Sequence, residues 1–498
     1  RLLALQPDSP AALEQLGLAL IGAQRTAAAV ECFRRLRTIA PQDRLAHWIE
    51  FHLPALPCFR DADERAGWLA DFERGLTAFE HDDVDPAAAQ RILGSVTSFA
   101  LAYQDGALVD LHRRHAALVR RLLGRATGDA FVDMASRRIV RRRRRVGIVS
   151  SCLHQHSVTR AWAGALLALP RDDIELHVFH TGPRDDAMTQ RFRARADRYA
   201  GGVERFATWA ARLREADLDV LVFLDLGLDV VNQCLAALRH APVQVSTWAH
   251  PVTSGAGTID YFVSAQDAEP DDAAGHYSET LVRLPRLGGC FATPAEPVLP
   301  RSAGTRGTRL VCAQNLHKLH PQHDALFGRI LAGAPAATID FMPAASAEQL
   351  EGFRQRVHRN LAAFDIDPAR VRIHPTLSAE AYRQVLADAD LMLDTIGFSG
   401  GITTLDALWQ QRPWLTLPGV CMRGRQSAAM LRRLGMDELV APSADEFVAR
   451  AIALAGSPER REALSLAIGE RKRQLFDDAE VATAFADFLR HVQPPGHD

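Results

Sequence analysis

The segment that most constrains this chain lies at residues 391–409. A strand, a glycine-rich loop and the beginning of a helix follow one another there. It reads LMLDTIGFSGGITTLDALW, with an apolar run that ends at Asp394. Glycine lets the main chain approach a ligand closely, and the N–H groups and dipole of a helix N-terminus favour negative charge. The segment therefore predicts a phosphate-binding loop. We expect its ligand-facing residues to be Gly400, Gly401, Thr403 and Thr404.

The loop lies late in the chain, which bears on the kind of ligand it holds. A typical dehydrogenase carries its glycine-rich turn after the first strand. Here the turn follows a strand near the C-terminal end, where a second nucleotide-type domain is expected. The position predicts a site for a nucleotide diphosphate in a C-terminal domain.

Strands and helices alternate through two stretches of the chain, which predicts α/β domains. The first stretch starts at the strand around Val146, and the second follows a turn-rich linker over residues 294–307. Such alternation indicates parallel sheets covered on both faces by helices. We expect two Rossmann-like domains facing a cleft, over residues 137–300 and 301–498, the second with closing C-terminal helices. Predicted elements include a helix over 86–103 and strands over 220–226 and 439–441.

The N-terminal part predicts helical hairpins. Residues 1–7 resemble residues 35–41 at a spacing of 34, with small and large apolar residues between them. This period is typical of a tetratricopeptide repeat, although a generic helical hairpin is the alternative. We expect a truncated repeat array over residues 1–50 and a helical linker layer over 51–136. The first residues end a preceding repeat and the chain lacks an initial Met, so we expect a trimmed form of a longer array.

Composition narrows the functional class. The net charge of −2 gives no reason to expect binding to nucleic acid or an anionic membrane. No apolar run reaches the roughly 18 residues of a membrane span, so we expect no transmembrane helix. The first seven residues lack the long apolar core and the cleavage site expected of a signal peptide. The seven cysteines are scattered without a CxxC pair, which indicates buried thiols in a reducing cytoplasm and no metal site.

Two side chains follow the first strand of their domains, where ligands bind in such sheets. His156 could act as a base or orient a ligand, and a structural histidine is the alternative. Lys318, with Asn315 just before it, could offset the charge of a diphosphate, whereas many loop lysines are only solvated.

Further candidates lie beside the loop and in the first domain. Asp406 is expected in the first turn of the loop's helix, where it could accept a ribose hydroxyl or serve as an N-terminal charge. Tyr382 could pack against a base or in the core. The end of another strand offers small polar residues able to line a cleft, namely Ala249, His250, Pro251, Thr253 and Ser254.

Several ordered motifs together resemble glycosyltransferase family 41, the protein O-GlcNAc transferases of the SPINDLY type. They are RVGIVSS, APVQV, WAHPVTSG, TIDYFVS, HYSETLVRLP, NLHKLHP and the loop segment followed by LPG and RLG. The resemblance covers roughly residues 140–475. The LPGVC and RRLG strings also look like the bacterial cytoplasmic N-glucosyltransferases.

The resemblance implies a GT-B fold and an inverting, metal-independent transfer from a nucleotide sugar to a polypeptide. It implies His156 near the acceptor and sugar, and Lys318 on the diphosphate with Asn315 beside it. Thr403 with the backbone of the two glycines would hold phosphate, Asp406 the ribose and Tyr382 the uracil, while residues 249–254 would line the sugar. No cofactor is expected beyond a donor nucleotide sugar, by preference UDP-linked, and the repeats would hold the acceptor or join copies of the chain.

The chain also departs from the family pattern. Gly401 stands where the family has a histidine, and Ala211 and Arg214 stand where it has an acid and a histidine. Three groups therefore remain candidates for the general base that takes the acceptor proton: the donor's α-phosphate, His156 and water. The best hypothesis is transfer of N-acetylglucosamine to Ser or Thr. Alternatives are transfer of glucose to Asn, transfer of a nonulosonic acid from a CMP-sugar to flagellin, suggested by Arg214, and an inactive repeat-based scaffold.

Overall fold

The computed structural model describes residues 6, 8–54, 59–128, 130–131, 133–134, 141–302 and 307–495. The chain divides into two compact units. One contains Arg1–Ala46, Leu53–Asp71 and Thr293–Phe476, and the other contains His47–His52, Phe72–Ala292 and Asp477–Asp498. Each unit is built around its own parallel sheet. The predicted class, two Rossmann-like α/β sheets after a helical N-terminal region, is confirmed.

Within these described ranges, six α-helices precede the first sheet. They are α1 (Pro10–Gly22), α2 (Thr26–Ile39), α3 (Arg44–His52), α4 (Ala62–Glu80), α5 (Pro86–Leu93) and α6 (Val109–Thr127). In the first pair the Phe33 ring lies against Gly17, where a Cβ would come within 2.5 Å of it. This small-to-large contact is the one expected of a helical hairpin. Residues 1–5 and 7, the first copy of the proposed period, lie outside the described residues, so the repeat assignment stays a prediction.

The helix predicted over residues 86–103 is wrong in its length. Helix α5 ends at Leu93, and a separate 3₁₀ turn covers Phe99–Tyr103. The Ser95 hydroxyl donates to the Ile92 carbonyl at 2.6 Å, which takes a backbone acceptor near the helix end. Gly94 and the serine and threonine residues after it favour such local bonds over a continued helix.

The first sheet, as far as the chain is described, has seven parallel strands in the order β3-β2-β1-β4-β5-β6-β7. The strands are β1 (Arg144–Ser150), β2 (Ile174–His180), β3 (Arg198–Gly201), β4 (Val220–Phe223), β5 (Val243–Thr247), β6 (Tyr261–Ala265) and β7 (Thr280–Leu284). Its helices are α7 (Ser157–Leu167), α8 (Ala187–Arg195), α9 (Phe206–Ala216) and α10 (Val230–Ala236). The central strands β4 and β5 are buried along their whole length, because helices cover both faces of a parallel sheet.

The prediction from sequence was less accurate at the strand ends and edge strands of this sheet. The strand predicted over residues 220–226 ends at Phe223, and a 3₁₀ turn follows at Leu226–Leu228. The edge strands β3 and β7 escaped prediction because their residues are partly exposed and lack a long apolar run.

The second sheet has five parallel strands among the described residues, in the order β10-β9-β8-β11-β12. The strands are β8 (Thr308–Cys312), β9 (Ala337–Phe341), β10 (Val371–Ile373), β11 (Leu391–Leu393) and β12 (Trp414–Leu415). Its helices are α11 (Pro321–Gly333), α12 (Ala347–Ala362), α13 (Ala379–Asp388), α14 (Ile402–Trp409), α15 (Gln426–Arg433), α16 (Ala444–Ala455) and α17 (Pro458–Arg471). A last helix, α18 (Ala479–His491), belongs to the unit of the first sheet.

The strand predicted over residues 439–441 is not a strand. Asp437–Leu439 form a 3₁₀ turn, and Val440 makes a single parallel bridge with Thr416. Leu439 and Ala441 are buried. A local apolar pattern does not distinguish burial from pairing along a strand.

Both sheets have a switch point, where the strand order reverses. In the first sheet β1 lies between β2 and β4, and in the second β8 lies between β9 and β11. Ligands of open α/β sheets bind outside the carboxyl ends of the strands at such points. The residues after β1, β4, β8 and β11 are therefore the ones to examine.

No helix in the described part of the chain is long and apolar enough to cross a membrane.

A buried histidine pair gives the first testable prediction. His52 Nδ1 lies 2.9 Å from the Trp48 carbonyl, so it donates, and its Nε2 accepts from His115 Nε2 at 3.1 Å. Burial lowers the pKa of His115 to about 4. In the unfolded chain this group takes a proton below its ordinary value near 6.5, so stability is present above that pH and is lost as the pH falls toward 4.

We expect His115→Gln, which keeps a donor, to flatten the fall in unfolding free energy between pH 6.5 and 4. The slope should lessen by about 1.4 kcal/mol per pH unit, the value for one proton. Urea unfolding at several pH values measures it. His81→Gln, at an exposed position, serves as the control; an unchanged slope in the His115 variant would contradict the assignment.

Candidate functional site

The loop between β11 and α14 is organised by one buried carboxylate, Asp394. Its Oδ1 accepts the Gly400 N–H at 2.8 Å and the Thr395 N–H at 2.9 Å. Its Oδ2 accepts the Thr416 hydroxyl at 2.7 Å. Burial raises the pKa of Asp394, and the hydrogen bonds from Thr416 and Gly400 oppose that rise. The carboxylate thus joins both ends of the loop to Thr416 after β12, a role that the sequence did not reveal because these contacts form only in the folded chain.

Gly400 lies where no side chain fits. A Cβ at this position would be 2.1 Å from Thr404 Oγ1 and 2.8 Å from Gln314 Nε2. The Ser427 hydroxyl donates to the Gly400 carbonyl at 3.0 Å. The loop is therefore closely packed and held in one shape.

The two threonines have different surroundings. Thr404 Oγ1 is buried and lies 2.8 Å from Ser427 Oγ, which makes it part of the packing. Thr403 is partly exposed, and its Oγ1 accepts from Gln314 Nε2 at 3.1 Å. A hydroxyl that accepts one hydrogen bond still has its own O–H to donate, so the Thr403 hydroxyl can bind a ligand oxygen. The structure favours Thr403 as the ligand-facing member of the pair.

Helix α14 begins at Ile402, and Gly401 is its N-cap without a side-chain cap. The first N–H groups of a helix have no partner within the helix, so they can bind an anion. Because the helix starts earlier than expected, no acid lies in its first turn, and the prediction for Asp406 is wrong in this respect. Asp406 lies in the second turn.

Lys318 reaches this loop from the short turn after β8. Its ammonium donates to the Ser399 carbonyl at 2.8 Å and lies 4.1 Å from the centre of the Phe398 ring. Loss of hydration lowers the pKa of Lys318 to about 8, while the charge of Asp394 opposes the shift. Only two of the 58 Lys and Arg residues are lysines, Lys318 and Lys472.

Two further predicted residues lie at the same edge of the second sheet. Asn315 Oδ1 accepts the N–H of His317 at 3.0 Å, so this side chain caps the turn that carries Lys318. Tyr382 lies in the first turn of α13, half-buried, ahead of β11. Their predicted contacts with a nucleotide stay predictions.

In the first sheet, His156 is the N-cap of α7. The ring Nδ1 of His156 accepts the Val158 N–H at 3.3 Å, and the backbone N–H of His156 donates to Thr159 Oγ1 at 3.2 Å. Burial lowers the pKa of His156, so the ring is neutral near pH 7. With Nδ1 accepting, the proton resides on Nε2, and the histidine presents a hydrogen-bond donor.

Asp225, after β4, is a second carboxylate that the sequence did not single out. It is fully buried, and its Oδ2 accepts the Ser151 hydroxyl at 2.7 Å and the Ser151 N–H at 3.0 Å. Its charge opposes the lowering of the His156 pKa. Asp225 thus holds the start of the loop that carries His156.

The predicted sugar-side segment is mostly turned inward. The Thr253 hydroxyl donates to Glu279 Oε2 at 2.6 Å, and the Ser254 N–H donates to Oε1 at 2.8 Å. His250 is buried, and burial lowers its pKa to about 4. Pro251 and Thr253 are buried as well, while Ala249 and Ser254 are partly exposed. The surface of this segment is therefore offered by Ala249 and Ser254.

Arg214 lies near the C-terminal end of α9, which leads into the amino end of β4. Its guanidinium lies over the Phe131 ring at 6.0 Å. Ligands bind at the opposite, carboxyl edge of such a sheet, so this position does not support a role for Arg214 in selecting an acidic sugar.

The two sheets, their switch points and the loop before α14 are those of a GT-B fold. Residues 102–289 and 310–483 match glycosyl transferase family 41. The chain belongs to this family.

The chain is similar to the following three proteins. One is the probable UDP-N-acetylglucosamine–peptide N-acetylglucosaminyltransferase SPINDLY of Solanum lycopersicum, 28% identical over 70% of this chain and 38% of that protein. Another is the UDP-glucose:protein N-beta-glucosyltransferase of Actinobacillus pleuropneumoniae, 24% identical over 47% of this chain and 38% of that protein. A solved mutant of the Thermobaculum terrenum O-GlcNAc transferase has a TM-score of 0.78 and 25% identity, covering 98% of this chain and 92% of that one. The chain spans about two fifths of the length of these curated relatives.

The packing around Gly400 gives the second prediction. We expect Gly400→Ala to lower the unfolding free energy by about 1–3 kcal/mol, because the new methyl group overlaps Thr404 and Gln314. Gly67→Ala, in α4 with nothing within 4 Å of the added Cβ, should be neutral or slightly stabilising. Thermal and urea unfolding compare them, and equal stability of the two variants would refute the close packing of the loop.

Proposed function

We propose that this protein is an inverting, metal-independent glycosyltransferase that moves a sugar from a UDP-sugar to a polypeptide. The proposed donor is UDP-N-acetylglucosamine and the proposed acceptor atom is a Ser or Thr hydroxyl. The observation that carries the proposal is the Lys318 ammonium, 2.8 Å from the Ser399 carbonyl in the loop that leads into the N-terminus of α14. The names of the similar proteins support the sugar and the peptide acceptor.

The reaction needs charge stabilisation at the leaving group. The acceptor oxygen forms a bond to the anomeric carbon of the sugar while the bond from that carbon to the diphosphate oxygen breaks. Negative charge grows on the departing diphosphate, where Lys318, the first N–H groups of α14 and the Thr403 hydroxyl would bind it. We propose that these groups do the work that a metal ion does elsewhere, with Asp406 and Tyr382 on the nucleoside.

His156 is proposed as a donor rather than a base. Its Nδ1 is used by the helix cap, so taking a proton would require the other tautomer and break that cap. We propose that Nε2–H orients the acceptor or the sugar. The acceptor proton then passes to the donor's α-phosphate or to water.

A second candidate is transfer of glucose to Asn, which the similarity to the N-beta-glucosyltransferase favours. The location of Arg214 no longer supports the CMP-sugar alternative. The remaining argument for that alternative is that Gly401 has no side chain. The N-terminal helices are proposed to be tetratricopeptide repeats that hold the acceptor, in a protein of the cytoplasm.

The third prediction concerns Lys318. We expect Lys318→Ala to lower kcat by about 10²–10³-fold with the fold intact, as loss of a transition-state donor does. The wild-type kcat/KM should fall as the pH rises through about 8, where free Lys318 loses its charge, and Lys318→Arg should remove that fall. Steady-state transfer to a purified candidate acceptor measures these rates, and the increment in the intact mass of that acceptor identifies the sugar.

Lys472→Ala is the matched control for this experiment. Its ammonium also donates to a backbone carbonyl, that of Trp409 at 2.7 Å, and lies 4.1 Å from the Trp409 ring centre. We expect near wild-type turnover in that variant. Near wild-type turnover of Lys318→Ala, or a loss of transfer in EDTA, would contradict the proposal.

The fourth prediction separates an enzyme from a scaffold. We expect UDP to raise the melting temperature of the protein above the values with CMP or GDP, because it binds the folded state. UDP should also protect Lys318 from an amine-modifying reagent, with the modification read by peptide mass. If no nucleotide stabilises the protein or protects Lys318, the repeat-based scaffold is the better description.

A further inference from the structure

The side chain of Gln426 fills the space beside Gly401. An ideal Cβ on Gly401 would lie 2.5 Å from Gln426 Oε1 and 3.7 Å from its carboxamide carbon. Gln426 is the first residue of α15, and Gly401 is the N-cap of α14. A polar group from another helix therefore occupies the place that a side chain at residue 401 would take.

Gln426 has unused hydrogen-bonding capacity at this place. Within the described residues, its Nε2 donates to Met422 Sδ at 3.4 Å, and a thioether is a weak acceptor. The residue is half-buried, so part of the carboxamide remains accessible. With Nε2 toward the sulfur, Oε1 is the atom turned to Gly401, and it offers an acceptor beside the loop.

The backbone around Gln426 is fixed to that loop. The next residue, Ser427, donates through its hydroxyl to the Gly400 carbonyl at 3.0 Å, and its Oγ lies 2.8 Å from Thr404 Oγ1. The Ser399 N–H donates to the Arg423 carbonyl at 2.9 Å. Because the start of α15 and the loop share these bonds, the position of Gln426 relative to Gly401 is set by the fold.

We infer that Gln426 is a specificity-determining residue that contacts the sugar of the bound donor. This inference rests on the proposed function, since it places a sugar-diphosphate at the N-terminus of α14. An acceptor oxygen repels phosphate oxygens and suits a hydroxyl donor, so the partner of Oε1 is a hydroxyl of the hexose. Residue 401 has no side chain, and the carboxamide of Gln426 from α15 occupies that space. There it accepts a hydrogen bond from the sugar.

The test compares the affinities for UDP-N-acetylglucosamine and UDP-glucose with that for UDP, by titration calorimetry. We expect Gln426→Ala and the similarly sized Gln426→Leu to weaken the better-bound UDP-sugar about five- to tenfold and to leave UDP within twofold, as loss of one hydrogen bond to the sugar predicts. The control is Gln355→Ala, at an exposed glutamine of α12 bonded to Glu351.

A double-mutant cycle tests the shared space. In the wild-type background, Gly401→Ala should displace the Gln426 carboxamide and reproduce the loss seen for Gln426→Ala. In the Gln426→Ala background, the same change should have no further effect on the ratio of UDP-sugar to UDP affinity. Equal effects of Gly401→Ala in both backgrounds would show that the methyl group acts through backbone strain, and they would overturn the inference.

The outcomes separate the two proposals. A wild-type protein that fails to bind UDP refutes the proposed function itself. A wild-type protein that binds UDP, with Gln426 variants whose ratio of UDP-sugar to UDP affinity is unchanged, refutes only the role of Gln426. Circular dichroism and melting temperature of every variant confirm that the fold is retained.

Discussion

A buried carboxylate at the end of β11 supports the rest of the candidate donor site. Asp394 gathers two N–H groups of the following loop and the hydroxyl of Thr416. A charge in the interior is costly unless donors surround it, so the loop is held in the one shape that supplies them. That shape requires a bare backbone at Gly400, and the same loop leads into the N-terminus of α14 and accepts a hydrogen bond from Lys318.

Lys318 is a cationic side chain that contacts this loop. The ammonium donates to the Ser399 carbonyl and lies over the Phe398 ring, and partial dehydration lowers its pKa to about 8. In a chain that uses arginine at nearly every other cationic position, a compact ammonium at this place is notable. An ammonium is a point charge on a flexible stem, whereas a guanidinium is a rigid planar fork.

Much of the fold could be predicted because its signals are local. Apolar runs and turn residues located the central strands, and the order of motifs pointed to the family. Element ends were less predictable: α5 stops at Leu93 through a serine–carbonyl bond, and α14 starts at Ile402, which moved Asp406 out of the first turn. The location of Arg214 at the amino edge of the first sheet could not be predicted without the sheet topology. From the sequence we could say only that this residue precedes a strand.

The sequence by itself determined that a strand, a glycine-rich loop and a helix start follow one another at residues 391–409, because those preferences act between neighbours along the chain. Only the tertiary structure decided what surrounds the loop. Lys318 meets Ser399 across 81 residues, Gln314 meets Thr403 across 89, and Gln426 occupies the space beside Gly401. Such contacts join the ends of separate strands and helices. Their partners are chosen by sheet order and packing, which no local pattern encodes.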